Sequence, residues 1–229
     1  MVYITGDTHA MIDYEKLKIF FSGDCKLTKK DYLIIAGDFG GVWSEDKLDK
    51  YLGIYQALPM TVLFVDGNHE NFDLLNSYPV RRWHGGKIHR IKSDIIHLMR
   101  GQVYKIEGKT FFTFGGATSI DKWLREPGTE WWPQEVPNEK EFSEAKKNLE
   151  KVGNKVDYII THSCDESALN SPLLKRYDRI MESFPENKML NYFERTVDYT
   201  KWFFGHYHVD GQINEKKTAL YDDIVKIID

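Results

Sequence analysis

Thr61-Val-Leu-Phe-Val-Asp-Gly-Asn-His-Glu70 joins an unbroken apolar run to an abrupt polar end. Val62 to Val65 show no polar alternation, as in a strand of a parallel sheet covered on both faces. Asp66-Gly67 then favours a turn. The turn delivers Asn68, His69 and Glu70, three side chains with lone pairs or protons to offer. In open α/β sheets ligands bind at the carboxyl ends of strands, so chemistry is expected at this point of the chain.

Four further stretches repeat the pattern. Val2-Tyr-Ile-Thr-Gly6 precedes Asp7-Thr-His9, and Tyr32-Leu-Ile-Ile-Ala36 precedes Gly37-Asp38. Tyr158-Ile-Ile-Thr161 precedes His162, and Trp202-Phe-Phe204 precedes Gly205-His-Tyr-His208. Five apolar strands thus end in two Asp, one Asn and five His. One such strand would carry little; five together define a site.

The segments between them set the architecture. Residues 11–21 read as a helix with Asp13 as N-cap and Tyr14, Leu17 and Phe21 at helical spacing. Ser44 is expected to cap an amphipathic helix carrying Leu48, Tyr51, Leu52, Tyr55 and Leu58, which Pro59 ends. This βαβαβ rhythm implies a parallel sheet with helical crossovers. Residues 87–115 read instead as short antiparallel strands with a hairpin turn at Glu107-Gly108-Lys109. Residues 116–138 are irregular, and the large aromatics Trp123, Trp131 and Trp132 argue that this long loop is ordered. Asn138-Glu-Lys-Glu141 forms a capping box for a helix to about residue 152. A strand over 156–161, one or two helices within 171–197, a strand over 201–204 and a closing hairpin turning near Lys216-Lys217 complete the chain. No repeat or linker divides it, so residues 1–229 are expected to form one domain with a mixed sheet system.

Composition narrows the class. At 229 residues, with 41% hydrophobic and 14% aromatic content, the chain can fill a sizeable core. A formal net charge of −4 gives no sign of an obligate nucleic-acid binder. Cys25 and Cys164 are far apart and in no metal-ligand spacing, as in a reduced, cytosolic protein. Met1 runs straight into the first strand with no secretory leader, and no apolar run is long enough to cross a membrane. The expectation is a cytoplasmic protein with no membrane attachment and no obligate protein partner.

Imidazole and carboxylate donors in a mixed set suit Mn²⁺, Fe or Zn²⁺ better than the hard, oxygen-seeking Mg²⁺ or Ca²⁺. Thiolates are absent from the set, which excludes an iron–sulfur cluster. Eight groups exceed the needs of one ion. Two ions about 3.5–4 Å apart, bridged by a carboxylate, would absorb them, hold a hydroxide nucleophile and clamp phosphoryl oxygens.

Asp7-x-His9, Gly37-Asp38, Gly67-Asn-His-Glu70, His162 and Gly205-His-x-His208 together resemble, in order and strand placement, the motif series of the calcineurin-like metallophosphoesterase superfamily. The resemblance spans residues 7–208. It implies a four-layer α/β/β/α sandwich with mixed β-sheets and a phosphate ester as substrate. It implies that Asp7, His9 and His208 hold one divalent ion (Mn²⁺ foremost), that Asn68, His162 and His206 hold a second, and that Asp38 bridges them. His69 would stand by the substrate phosphate as the catalytic proton donor.

One motif departs from the protein Ser/Thr phosphatases of that superfamily, which extend it to Gly-Asp-x-x-Asp-Arg-Gly. Here the added Asp and Arg are replaced by Gly41 and Val42. A protein-phosphatase-like monoesterase is therefore the second reading, and a non-catalytic scaffold on the same fold a third. Asp66, Glu70 and Asp165 are the acids left to orient His69. Lys122 and Arg125, in the aromatic loop, are candidates to meet phosphate oxygens. The loop itself could stack a nucleobase or merely anchor to the core. His84, His89 and His97 match no motif and read as structural. They lie in a basic tract, residues 81–100, that reads as a solvated sheet face or an attractor of anions. The substrate is expected to be a small phosphoester, a nucleotide or a nucleic-acid end.

Overall fold

In the computed structural model, which describes residues 1–23, 26–175 and 183–229, the apolar strands sort into two sheets. β1 (Val2–Thr5), β2 (Tyr32–Ala36) and β3 (Thr61–Val65) lie side by side in parallel. β3 continues in parallel to β6 (Ile95–Leu98), beyond which β5 (Gly86–Lys92) and β4 (Val80–Trp83) run antiparallel. In the second sheet β8 (Lys109–Phe114), β9 (Lys155–Thr161) and β10 (Asp198–Phe204) are parallel neighbours. Its margins are β7 (Gln102–Ile106), paired antiparallel with β8, and β12 (Lys217–Ala219), which also pairs with β11 (Gly211–Gln212). The site strands are thus divided, three in one sheet and two in the other.

The lack of polar alternation has a direct cause. Along a strand successive side chains point to opposite faces, and here both faces are covered. Ile4, Ile34, Leu63 and Ile96 of the first sheet meet Tyr104, Phe111, Ile160 and Phe203 of the second in the central layer. Leu33, Ile35, Val62 and Phe64 face the other way, onto α1 (Glu15–Phe21), α2 (Leu48–Gln56) and α3 (Phe72–Ser77) through Leu17, Leu52 and Leu75. On the far side, Phe112, Ile159 and Trp202 pack against Ala145 and Leu149 of α4 (Glu139–Lys151) and Phe193 of α7 (Pro185–Thr196). Two single turns, α5 (Glu166–Leu169) and α6 (Pro172–Lys175), add to that layer. The result is the four-layer α/β/β/α arrangement.

The capping box at Asn138 forms, with Glu141 returning the bond to the Asn138 N–H. The hairpin at Glu107-Gly108 forms too, with both residues at positive φ, the backbone of the favoured two-residue turn. Other local expectations change. Tyr14, not Asp13, stands at the start of α1, and Asp13 turns back to the His9 ring. Ser44 opens a 3₁₀ turn, Glu45–Lys47, ahead of α2, and its hydroxyl binds Asp46 rather than a backbone N–H. The closing hairpin turns at residues 213–216, and Lys217 already belongs to β12. β13 (Ile224–Ile228) then crosses to the first sheet and pairs antiparallel with β1, covering what would be an open apolar edge. Cys25, and part of the 171–197 segment read as helical, lie outside the described residues. No helix among the described residues is long and apolar enough to cross a membrane.

Lys217 is buried at the margin of the second sheet, its Nζ 2.7 Å from Asp165 Oδ1 and 3.0 Å from Glu194 Oε2, over the Trp202 ring. Removing one partner of such a pair strands the other charge in the interior, at about 3–5 kcal/mol. Lys217→Met is expected to lose about that much in urea unfolding, and adding Asp165→Asn to recover part of it. Equal stability of Lys217→Met and wild type would contradict this.

Candidate active site

The carboxyl ends of both sets of strands meet at one seam. The first sheet delivers Asp7 and His9 after β1, Asp38 after β2, and Asn68 and His69 after β3. The second delivers His162 after β9 and His206 and His208 after β10. Donor atoms gather within 4.8 Å of one another in three overlapping groups: Asp7, His9 and His208; His9, Asp38 and His69; Asp7, Asp38 and His162. Asn68 Oδ1 lies 3.1 Å from His162 Nε2, and the His206 ring centroid 4.9 Å from that of His162. All eight sequence-chosen residues therefore converge.

The backbone is tailored to this convergence. Gly67 and Gly205 pass so close to the carboxylates of Asp38 and Asp7 that a Cβ at either position would overlap them. Eight non-glycine residues among those described have positive φ, and His9, Asp38, His206 and His208 make up half of them. Such conformations cost of order 1–3 kcal/mol each and persist where surrounding structure enforces them, commonly at functional sites.

A ring of hydrogen bonds fixes how each donor is presented. His9 Nδ1 donates to Asp13 Oδ2 at 2.7 Å, which turns Nε2 toward Asp38 Oδ2 at 3.2 Å. The Tyr221 hydroxyl donates to the other Asp13 oxygen. His162 Nδ1 donates to the Ala36 carbonyl, leaving Nε2 3.3 Å from Asp38 Oδ1. Asn68 is set by a longer chain. Glu135 Oε2 accepts the Ser119 hydroxyl at 2.7 Å, so Ser119 Oγ accepts from Asn68 Nδ2 and the Asn68 carbonyl is left facing the seam. His208 stacks on Tyr221, with Nε2 3.1 Å from Asp7 Oδ2.

The charges call for a cation. Asp7 and Asp38 are buried, and although burial raises a carboxyl pKa, the imidazoles around them hold both below the usual range. Asp7 Oδ2 is buried, and His208 Nε2, 3.1 Å away, meets it without hydrogen-bond geometry. Burial alone would lower the pKa of His9 and His162, but the adjacent Asp38 and Asp7 carboxylates lift them to about 9 and about 10. Nε2 of each ring faces oxygen acceptors, so in the metal-free chain a proton stands where a metal ion would. His206, buried and beside the charge of His162, is lowered to about 3 and stays neutral. Buried N/O donors with an orphaned carboxylate oxygen fit divalent metal ions.

Residues 1–210 match the family described as calcineurin-like phosphoesterase. The chain belongs to that family. It is a metal-dependent phosphoesterase. Similar solved structures include a phosphopantetheinyl hydrolase from Mycobacterium tuberculosis, 15% identical, covering 96% of this chain and 87% of that one, TM-score 0.45. A Staphylococcus aureus protein named as a 5′-nucleotidase is 13% identical over 96% of this chain and 48% of that one, TM-score 0.49. A protein serine/threonine phosphatase from Saccharomyces cerevisiae is 15% identical over 96% and 66%, TM-score 0.37. No curated protein matches by sequence.

In this phosphoesterase none of the three acids considered for His69 reaches it. Asp66 is taken by Arg100 and His97. Glu70 accepts the Phe39 N–H, and burial raises its pKa well above the ordinary value. Asp165 pairs with Lys217. The neighbour of His69 Nδ1 is instead Arg125 Nη1, at 3.4 Å, with the other guanidinium nitrogen 2.7 Å from Asp121. Arginine only donates, so Nδ1 is the acceptor and Nε2 carries the proton. Burial, with the charges of His9 and Arg125, lowers the His69 pKa and keeps the ring neutral.

Arg125 lines a cleft of about 640 Å³ that opens from the seam, whereas Lys122 lies over the Trp131 ring. The loop is anchored to the core, since Trp132 is buried and donates to Asp73, while Trp123 stands 78% exposed. No arginine or lysine of the 81–100 tract lines this cleft. Arg100 is buried against Asp66, Lys87 pairs with Glu144 and Lys92 with Asp49. His97 and His89 are buried together, and His84 donates to the Lys105 carbonyl, in keeping with structural roles.

The orienting residues Asp13, Ser119, Glu135, Tyr221 and Asp121 escaped sequence reading. Only Asp13 left a signal, four residues past His9. Loss of such outer partners typically weakens metal affinity 10–100-fold, so Ser119→Ala is expected to bind Mn²⁺ at least about tenfold more weakly by calorimetry. Unchanged affinity would contradict the orienting role.

Metal loading should also displace the two imidazole protons. Titration of Mn²⁺ near neutral pH, in buffers of differing ionisation enthalpy, is expected to release about two protons per chain; none would contradict it. Because both folded pKa values lie above the ordinary histidine value of about 6.5, metal-free stability should be full below that pH. It should decline as pH rises toward about 9 and about 10.

Proposed function

We propose that the chain hydrolyses a small phosphate ester at a two-ion centre, by direct attack on phosphorus without a covalent enzyme intermediate. Asp7, His9 and His208 hold one ion; Asn68, His162 and His206 hold the other; Asp38 bridges. The observation that carries this reading is the division of the Asp38 carboxylate, with Oδ2 3.2 Å from His9 Nε2 and Oδ1 3.3 Å from His162 Nε2. Each oxygen faces a different ligand set. The N/O donors fit Mn²⁺ first, with Fe and Zn²⁺ also compatible.

When bound, the ions supply a deprotonated water at neutral pH and neutralise the phosphoryl oxygens. The rest belongs to the chain. His69 presents its Nε2–H to the departing ester oxygen as a hydrogen-bond donor that stabilises the charge developing there. Arg125 holds that tautomer and offers its remaining N–H groups to the cleft. Asn68, a neutral ligand, adds no negative charge beside an anionic substrate.

The substrate proposed is a small phosphoester, a nucleotide or a nucleic-acid end, supported by Trp123, exposed and two residues before the cleft-lining Arg125, as a stacking surface. A protein-phosphatase-like reading is weaker. Gly41 packs on the Phe39 ring and Val42 is fully buried, so that segment has no room for the missing Asp and Arg. We place the protein in the cytoplasm, without an obligate protein partner.

Purified, Mn²⁺-loaded protein is expected to hydrolyse bis-p-nitrophenyl phosphate or p-nitrophenyl phosphate. His69→Ala should keep its metal content and lose roughly 10²–10⁴-fold in turnover. A variant as active as wild type would contradict the assignment, and a metal-loaded wild type inert on every phosphoester would support the scaffold reading.

A further inference from the structure

Two clefts, not one, meet at His69. The larger, about 640 Å³, is lined by Asn68, Arg125 and Asp121 and also by Leu169, Phe184 and Tyr207. The smaller, about 310 Å³, shares His69 and is lined otherwise by residues the larger lacks, among them His9, Met11, Ile12, Trp43 and Tyr51. Its walls are mainly apolar. Met11 is 53% and Ile12 80% exposed, large apolar side chains that a bound group would cover.

We propose that the substrate is a phosphodiester whose two arms lie in these two clefts, the arm in the smaller one being an apolar or aromatic group. The inference rests on the phosphoesterase reading above and specifies its substrate. A phosphorus at the seam with a single ester arm fills one cleft and leaves the other empty; two arms fill both. Among the described residues the smaller cleft is lined by no Lys, Arg, Asp or Glu, which suits an uncharged arm rather than the next phosphate of a nucleic-acid chain.

The reaction consumes one water. Its oxygen bonds to phosphorus, the P–O bond to one arm breaks, and that arm leaves as an alcohol, its oxygen hydrogen-bonded by the His69 Nε2–H and taking one of the two protons of the water. The other arm stays on the resulting phosphomonoester, and the remaining proton of the water passes to solvent.

The test compares kcat/KM of Mn²⁺-loaded protein on bis-p-nitrophenyl phosphate, methyl p-nitrophenyl phosphate and p-nitrophenyl phosphate. The same set is then run on the double variant Met11→Asn/Ile12→Asn, whose sites are exposed and outside the core. Wild type is expected to prefer the bis-aryl diester over the monoester by about tenfold or more, and over the methyl diester by a similar factor. The double variant should lose most of the aryl-over-methyl preference. A monoester preference in wild type, or an aryl-over-methyl ratio unchanged in the variant, overturns the proposal while leaving the phosphoesterase reading intact. Silence on all three substrates with metal bound overturns both.

Discussion

Two buried carboxylates facing one cavity set the terms for the rest of this structure. Asp7 and Asp38 stand at the ends of adjacent parallel strands and, with His162, bring their donor atoms within 4.8 Å. Bare, that pair would be strongly unfavourable in a dry interior. The fold answers by bringing a second sheet against the first, so that His162, His206 and His208 arrive from the opposite side. In the metal-free chain protonated imidazoles supply the opposing charge; with metal bound, cations take that place. The central apolar layer of Ile34, Leu63, Phe111 and Ile160 holds the two sheets in the register that makes this possible.

Positive charge alone would not define a catalytic centre; the lone pairs have to point correctly. Acceptor-only groups behind the ligands do this. Asp13 turns His9, the Ala36 carbonyl turns His162, and Glu135 acts through Ser119 on Asn68. The long irregular loop is therefore part of the site, since it contributes Ser119, Asp121, Arg125 and Glu135. Buried Arg100 ties it down, binding Asp66 at the end of β3 and the carbonyls of Gln134 and Glu135 in the loop. Strand end and loop are thereby held in one register.

Much of this was legible in the sequence because the signals were local. An apolar run that ends in Asp, Asn or His marks a strand and its site residue together, and all eight such residues converge. What was not legible depends on contacts distant along the chain. Whether five parallel-type strands make one sheet or two depends on which faces meet, and alternation within a doubly buried strand does not reveal that. The partner of His69 was sought among acids, Asp66, Glu70 and Asp165, and the structure supplies instead a base, Arg125, 56 positions away. Asp13 looked like a helix cap because Asp before an apolar period usually is one; the pull of the His9 ring overrides that preference. β13 was read as a hairpin arm, since nothing in its residues announces that β1 needs an edge partner.

The central claim is that Asp38 joins two ion sites into one centre. Its most direct test is electron paramagnetic resonance of the protein titrated with Mn²⁺, alongside a count of bound metal. The account predicts two Mn²⁺ per chain and the multiline spectrum of a spin-coupled pair, collapsing to uncoupled signals in Asp38→Ala. A single bound Mn²⁺ with a simple six-line spectrum in the wild-type protein would contradict it.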